Sequence, residues 1–371
     1  MNTWLIAEPS AKAGAIETLP ETPGLRVLTK NELLKKDLRF SSEDKVCITS
    51  EIVIDEVISR LEDSRLQTGI GVMKDKTAFR EALQPLFPDF FFQQIETQAL
   101  SSLKLNPEKS YVVKPVKGCF GSGVRVINGN ADLQTLEAEI KIELARNSAL
   151  FSDSVLSPEQ LIVEECVVGE EFAVDMFYTR DGKPMITNIY HHPMPRNPAY
   201  LHMMYYTSAE VFSSIYQPAQ DFFQQLNEIL NLSQIPIHAE FRLQGDKLVP
   251  IELNSLRFGG MGLANLSYYG FGSNAYQSFI DEAQPDWEAI WEENADKAFA
   301  FFIAYNGANA NLQTHEPDWP SFRGLFSKII HEVPFDYQQQ LAFGILYLEE
   351  LQERISTLLE TEFDDYFVVK N

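Results

Sequence analysis

Ile251-Glu252-Leu253-Asn254-Ser255-Leu256-Arg257-Phe258-Gly259-Gly260-Met261-Gly262 packs a carboxylate, a carboxamide and a guanidinium into six residues, then runs into three glycines. Just upstream, Ile237-His238-Ala239-Glu240-Phe241-Arg242-Leu243 sets a second carboxylate at strand-like spacing. In extended backbone alternate side chains share a face, so Glu252 points with Asn254, and Glu240 with His238 and Arg242. A hairpin brings Glu240 and Glu252 together in one register only. Pairing them also pairs Gln244 with Leu248 and leaves the three-residue loop Gly245-Asp246-Lys247. A two-residue loop, Gly245-Asp246, sets Ala239 opposite Glu252 and sends the two carboxylates to opposite faces. Two acids and an amide oxygen on one spot are costly unless a hard cation sits between them, and oxygen-only ligands suit Mg2+. The competing reading is a solvated polar face.

With 371 residues the chain is long enough for two or three domains and a substantial core. Its apolar and charged fractions, 45% and 22%, are those of an ordinary globular protein. A formal charge of -23 argues against nucleic acid or an anionic membrane as partner, so an anionic substrate needs a local basic pocket. Cys47, Cys119 and Cys166 are odd in number and widely spaced, which excludes a zinc ribbon and fits a reducing, cytoplasmic setting. The first residues show neither a basic nor a long apolar segment, so no secretory signal is expected. The longest apolar run, 298–305, is too short to cross a bilayer.

Trp4-Leu5-Ile6-Ala7, Leu25-Arg26-Val27-Leu28 and Lys45-Val46-Cys47-Ile48-Thr49 read as buried strands, and 52–61 as a helix carrying Ile54, Val57, Ile58 and Leu61. Such alternation predicts a small α/β domain with a parallel sheet. Asp75 is placed to N-cap a helix in which Phe79 and Leu83 pack inward. Lys76 then falls in the first turn, where the macrodipole disfavours a cation: it is a surface lysine or one held near an anion. After a Pro- and Phe-rich connection (85–92) and a polar helix (96–103), residues 110–180 read as β-β-α-β-β. Their helix, 132–146, carries Leu133, Leu136, Ile140 and Leu144 on one stripe.

The loop Gly118-x-x-Gly121-x-Gly123 lies between two strands, which is not the setting of a dinucleotide fingerprint, and it lacks the Gly-Lys-Ser/Thr of a P-loop. It is a plain turn or a flap whose amides approach phosphate oxygens. Lys114, in an apolar strand, calls for an anionic partner unless it snorkels to solvent. The segment Glu164-Glu165-Cys166-Val167-Val168-Gly169-Glu170-Glu171 ends one strand and begins another, either as a charged hairpin or as an amide edge for a flat ring.

Taken in order, Asp75-Lys76, Val113-Lys114-Pro115 with its glycine loop, the 164–171 turn, Glu240 and Glu252-x-Asn254 resemble the ATP-grasp superfamily across 73–272. The resemblance implies an α/β protein of α+β lobes with ATP between two of them. It implies a small N-terminal α/β domain (1–72), linker helices (73–108), a small lobe (109–180), a large lobe (181–285) and a C-terminal helical extension (286–371) built on a helical pattern at 337–359. By similarity, Lys76 and Lys114 contact phosphates beneath the loop Gly118, Gly121, Ser122 and Gly123. Glu164, Glu165 and the Cys166-Val167 backbone read adenine, and Glu171 the ribose. Glu240, Glu252 and Asn254 hold two Mg2+ ions, or Mn2+, with Glu252 bridging. Many members carry Asn-Pro-Arg where this chain has Asn254-Ser255-Leu256-Arg257, so the arginine is shifted by one residue. Lys114 and Arg257 are the expected catalytic residues, Arg257 stabilising the transferred phosphoryl group or a tetrahedral intermediate.

The activity implied is ATP-dependent ligation of a small-molecule carboxylate to an amine through an acyl phosphate. The alternatives are a small-molecule kinase and a non-catalytic nucleotide-binding regulator. A homodimer is compatible with this reading. His191, His192, Arg196, Arg242 and the aromatic run 200–206 are candidates for the acceptor side, the arginines equally for structural ion pairs.

Overall fold

The computed structural model describes residues 2–7, 18–19, 22–118, 123–148 and 158–370. They divide into two compact units, a larger one of residues 1–63, 169–227 and 232–371, and a smaller one of 64–168 with 228–231.

The larger unit begins with the parallel sheet expected from the sequence. Strands β1 (Thr3–Ala7), β2 (Leu25–Thr29) and β3 (Lys45–Ile48) are ordered β2-β1-β3. β1, the central strand, is buried along its whole length, and so is β3, which packs on the rest of the unit although it lies at the sheet edge. Leu5 and Cys47 share a core with Phe177, Phe258 and Phe279.

In the smaller unit, β4 (Phe92–Glu96), β5 (Ser110–Pro115), β6 (Arg125–Asn128) and β7 (Gln160–Glu165) form an antiparallel sheet ordered β4-β7-β5-β6. The helix Leu133–Ser148 covers it, and Leu136, Ile140 and Leu144 bury against Tyr111, Val113, Leu161 and Val163. Strand alternation sends Lys114 and Glu164 to the opposite face. The polar helix expected at 96–103 is a 3-10 segment, Thr97–Ser102, and β4 precedes it where the aromatic run reads as a connection.

The larger unit continues through β8 (Glu170–Tyr178), β9 (Pro184–His192), β10 (Met204–Ser208), β11 (Ile235–Gln244), β12 (Lys247–Ser255), β13 (Lys297–Tyr305), β14 (His315–Pro317), β15 (Lys328–Pro334), β16 (Ala342–Leu351) and β17 (Phe367–Val369). Eight of these make one antiparallel sheet, ordered β12-β11-β8-β9-β10-β13-β16-β15. The C-terminal region is therefore not a helical extension. The stretch 337–359 is chiefly β16, followed by one short helix, Ile355–Leu358. Nearly every residue of β16 is buried, so its apolar run has no polar face to disclose a period of two. No helix among the described residues is long and apolar enough to cross a membrane.

Candidate active site

In the smaller unit the lysines are built as follows. Asp75 caps the helix Lys76–Leu83, accepting from the amides of Thr77 and Ala78 at 3.0 and 2.9 Å. Lys76 therefore opens that helix, and its Nζ lies 3.4 Å from the Gly118 carbonyl. Lys114, 5% exposed, pairs with Glu164, and Arg80 donates Nε–H to the other oxygen of the same carboxylate at 2.8 Å. Burial alone would raise Glu164's carboxyl, but Lys114 and Arg80 overcome it and hold the group down at about 2. Burial pulls Lys114 below its ordinary value, Glu164 pushes it back up, and the nearby cations Arg80 and Lys76 lower it further. Arg80 was missed from sequence because an arginine late in a helix reads as an answer to the macrodipole.

Glu164 thus spends both carboxylate oxygens on cations, and its side chain braces Lys114. Glu165 pairs at the surface with Lys109, 3.2 Å away. The Cys166 amide donates to Ser110 O at 3.0 Å, and Val167 follows where strand pairing ends. Gly123 sits at φ +70 with its amide on Glu143, and a Cβ there would meet Leu144 at 2.9 Å. Gly118 is described; Gly121 and Ser122 lie outside the described residues.

The larger unit carries the candidate acidic residues. The β11–β12 hairpin closes through a two-residue turn, Gly245-Asp246, with Gln244 opposite Lys247. Gly245 has φ +62, as the first position of a II′ turn requires. The sequence reading ties that turn to carboxylates on opposite faces, yet Glu240 stands opposite Glu252. A β-bulge reconciles the two: Phe241 pairs with Pro250 and Glu240 with Glu252, leaving Ile251 as the extra residue.

The registers set out a polar lattice on one sheet face. Asn254, His238, Asp175 and Asn188 form one row, and Glu252, Glu240, Ala173 and Tyr190 the next. Burial and the Glu252 charge push Glu240's carboxyl above its ordinary value. Asp175, fully buried, accepts from the Gly259 amide (2.8 Å) and the Tyr190 hydroxyl (2.9 Å) and bonds His238 Nδ1 at 2.8 Å. The other ring nitrogen of His238 lies 3.7 Å from Glu240. Asp175 was also missed, although a lone acid in Phe172-Ala173-Val174-Asp175-Met176-Phe177-Tyr178 is itself a signal.

Glu171 has a partner on each oxygen: His192 Nδ1 is 2.7 Å from one, and Arg242 donates to the other at 2.6 Å. Burial would raise its carboxyl, but those two partners hold it below the ordinary value. His192 stacks on Tyr205 with ring centroids 4.1 Å apart, and His191 on Phe172 at 4.7 Å. Arg242 and Arg196 both take the ion-pair reading, Arg196 with exposed Glu360. Arg257 donates Nε–H and Nη2–H to one oxygen of Glu51, at 3.0 and 2.7 Å. Burial works against its charge, but Glu51, Glu240 and Glu252 hold the guanidinium more firmly protonated than usual.

No group of three or more His, Cys, Asp or Glu side chains converges as a metal cage among the described residues. The donor set present still fits Mg2+, which takes one or two carboxylates and completes its shell with water and substrate phosphates. Glu240 and Glu252 repel each other across the bulge. Asn254's amide nitrogen is buried and has no hydrogen-bond partner among the described residues, so nothing there fixes which end of the amide faces the carboxylates.

Residues 108–265 match the family described as ATP-grasp domain. No curated protein sequence matches it. Among solved structures it is similar to an L-amino acid ligase from Bacillus licheniformis, at 16% identity and TM-score 0.67, over 100% of this chain and 98% of that one. An N5-carboxyaminoimidazole ribonucleotide synthetase from Thermotoga maritima matches at 11% and 0.61, over 100% and 99%. A biotin carboxylase from Campylobacter jejuni, solved as a complex with β,γ-ATP, matches at 12% and 0.58, over 100% and 92%. At such identities the likeness shows the fold.

Proposed function

We propose that this protein is an ATP- and Mg2+-dependent ligase that joins a small-molecule carboxylate, of amino-acid or peptide type, to an amine. The observation that carries the reading is the bulged hairpin, which sets Glu240 against Glu252 with Asn254 on the same face. Such a pair is stabilised by a divalent cation.

When bound, Mg-ATP supplies the phosphoryl group that turns the carboxylate into an acyl phosphate. Lys76 and Lys114 neutralise phosphate charge, and Glu164 with Arg80 keeps Lys114 from swinging to solvent. Gly118, Gly121 and Ser122 would offer backbone amides to the same phosphates, and Gly123, its own amide taken by Glu143, shapes the end of the loop. The Glu165 to Val167 backbone reads the adenine edge, with Glu171 at the ribose. Glu240, Glu252 and Asn254 hold the metal. Arg257 stabilises negative charge on the transferring phosphoryl oxygens and then on the tetrahedral adduct. The amine attacks the acyl carbon, the C–N bond forms, phosphate leaves with the C–O electron pair, and the nitrogen loses a proton. No activated side-chain nucleophile is required, and the chain supplies alignment and charge. A cytoplasmic setting suits Cys47, which is buried and unpaired.

The test is a screen of amino acids and small acids, singly and in pairs, for Mg-ATP-dependent ADP release with product analysis. An amide or peptide product supports the ligase. A stable phospho-product assigns the chain as a kinase, and an E252Q variant that releases ADP at the wild-type rate refutes the metal assignment.

A further inference from the structure

The shifted arginine has a structural answer. β12 ends at Ser255, and the additional residue, Leu256, is fully buried at φ +64. A left-handed leucine costs about 1–2 kcal/mol and persists only where its surroundings fix it. What fixes it here is the N-terminal sheet: the Ile48 amide donates to Leu256 O at 2.8 Å. Ile48 is the last residue of β3, and three residues on is Glu51. Ser50 caps the 3-10 turn Glu51–Val53, accepting from the Ile52 amide, so the backbone carrying Glu51 is held as well.

The same short stretch after β3 therefore sets the kink that redirects Arg257 and supplies the carboxylate that receives it. Of the five guanidinium N–H groups, two go to Glu51 Oε1 and one to the Phe258 carbonyl at 3.2 Å. That leaves one N–H on each terminal nitrogen beyond these bonds. A planar fork held along one edge presents what remains in a fixed direction.

We propose that Glu51 is a positioning residue that aims Arg257 at the terminal phosphoryl group, so that the N-terminal α/β segment completes the phosphoryl-transfer machinery. This rests on the nucleotide-binding part of the function proposed above.

Affinities for Mg-ADP and for non-hydrolysable Mg-AMPPNP, measured by calorimetry on the full chain, test it without requiring turnover. The wild type should prefer Mg-AMPPNP. E51Q should lower that preference about tenfold while leaving the Mg-ADP affinity within about twofold, with E51D intermediate. In an R257A background E51Q should have no further effect, because Glu51 acts through the arginine. Circular dichroism and thermal melts establish that each variant is folded, and the isosteric glutamine keeps the test available if larger truncations unfold. An unchanged preference in E51Q, or an effect that adds to that of R257A, overturns the proposal and leaves the ion pair purely structural. A wild type that fails to bind Mg-ADP overturns the nucleotide reading itself, and this role with it.

Discussion

Replacing Glu164 with glutamine tests how Lys114 is held. The carboxylate takes Lys114 on one oxygen and Arg80 on the other, and all three side chains are buried. A carboxyl that ionises at about 2 in the fold against 4.5 ordinarily favours folding by about 3 kcal/mol at neutral pH. Because the folded value is depressed, that contribution is complete above about pH 4.5 and drains away as pH falls toward 2. Removing one partner of a buried ion pair costs roughly 3–5 kcal/mol, since the other charge is stranded. Two opposing facts place E164Q near the lower end. Burial already holds Lys114 below its ordinary value, so its ammonium is less strongly held than an exposed lysine's. Arg80 cannot, but it stands 4.3 Å above the Phe90 ring, which gives the charge a second partner.

The expected result for E164Q is a loss of about 3 kcal/mol in the smaller unit at pH 7. Hydrogen exchange of peptides covering β5 and β7 measures it locally, which suits a chain whose two units need not unfold together. Below pH 4.5 the gap between wild type and variant should narrow. In a double-mutant cycle, K114M should recover part of the loss in E164Q, whereas R80A should cost more alone than beside E164Q. A variant within about 0.5 kcal/mol of wild type at pH 7, or a gap that widens in acid, would refute the account.

Three further outcomes follow from the larger unit. D175A strands the Gly259 amide and the Tyr190 hydroxyl and leaves His238 Nδ1 without its partner, and should cost about 2–4 kcal/mol in urea unfolding. D175N should cost less than half of that, because one oxygen remains and the tyrosine hydroxyl can turn to accept; equal losses would show that the charge matters more than the acceptors. E240Q should melt no lower than wild type without metal, since it relieves repulsion from Glu252, yet it should lose the upward shift that Mg2+ with ADP gives the wild type. G245A should cost about 1 kcal/mol, because its φ of +62 is strained for alanine but open space surrounds it. G169A should cost at least about 3 kcal/mol, because a Cβ there would lie 1.9 Å from Leu243 O; similar melting points for the two would contradict the geometry.

The sequence was most readable where a local rule had nothing to compete with it. Asp75 as an N-cap and the stripe Leu133, Leu136, Ile140 and Leu144 depend on residues three or four apart, and the structure keeps both. The three N-terminal strands were visible because each is a short, largely apolar run bounded by polar residues, although only β1 and β3 are buried throughout and β2, read as buried, buries Leu28 alone. β16 was misread for the opposite reason: with both faces covered, it carries no alternation. Partners distant in sequence left no trace. Arg80 and Glu164 are 84 residues apart, and Glu51 and Arg257 are 206 apart. Only a folded chain pairs them.

The hairpin shows where local reasoning fails by being too regular. The sequence offered two registers, one with a three-residue loop and paired carboxylates, the other with a two-residue loop and separated ones. The protein takes the short loop and the paired carboxylates by adding Ile251 as a bulge. The same device recurs five residues later in another form, where Leu256 turns through a left-handed conformation and Arg257 meets Glu51. Each irregularity costs local conformational energy, and each brings a charged side chain to a position that a regular strand would deny it. These two departures from ideal geometry fall beside Glu252 and Arg257, residues to which the proposed function gives the metal and the phosphoryl group. The extra residue before Arg257 then redirects the arginine, which Glu51 holds in place.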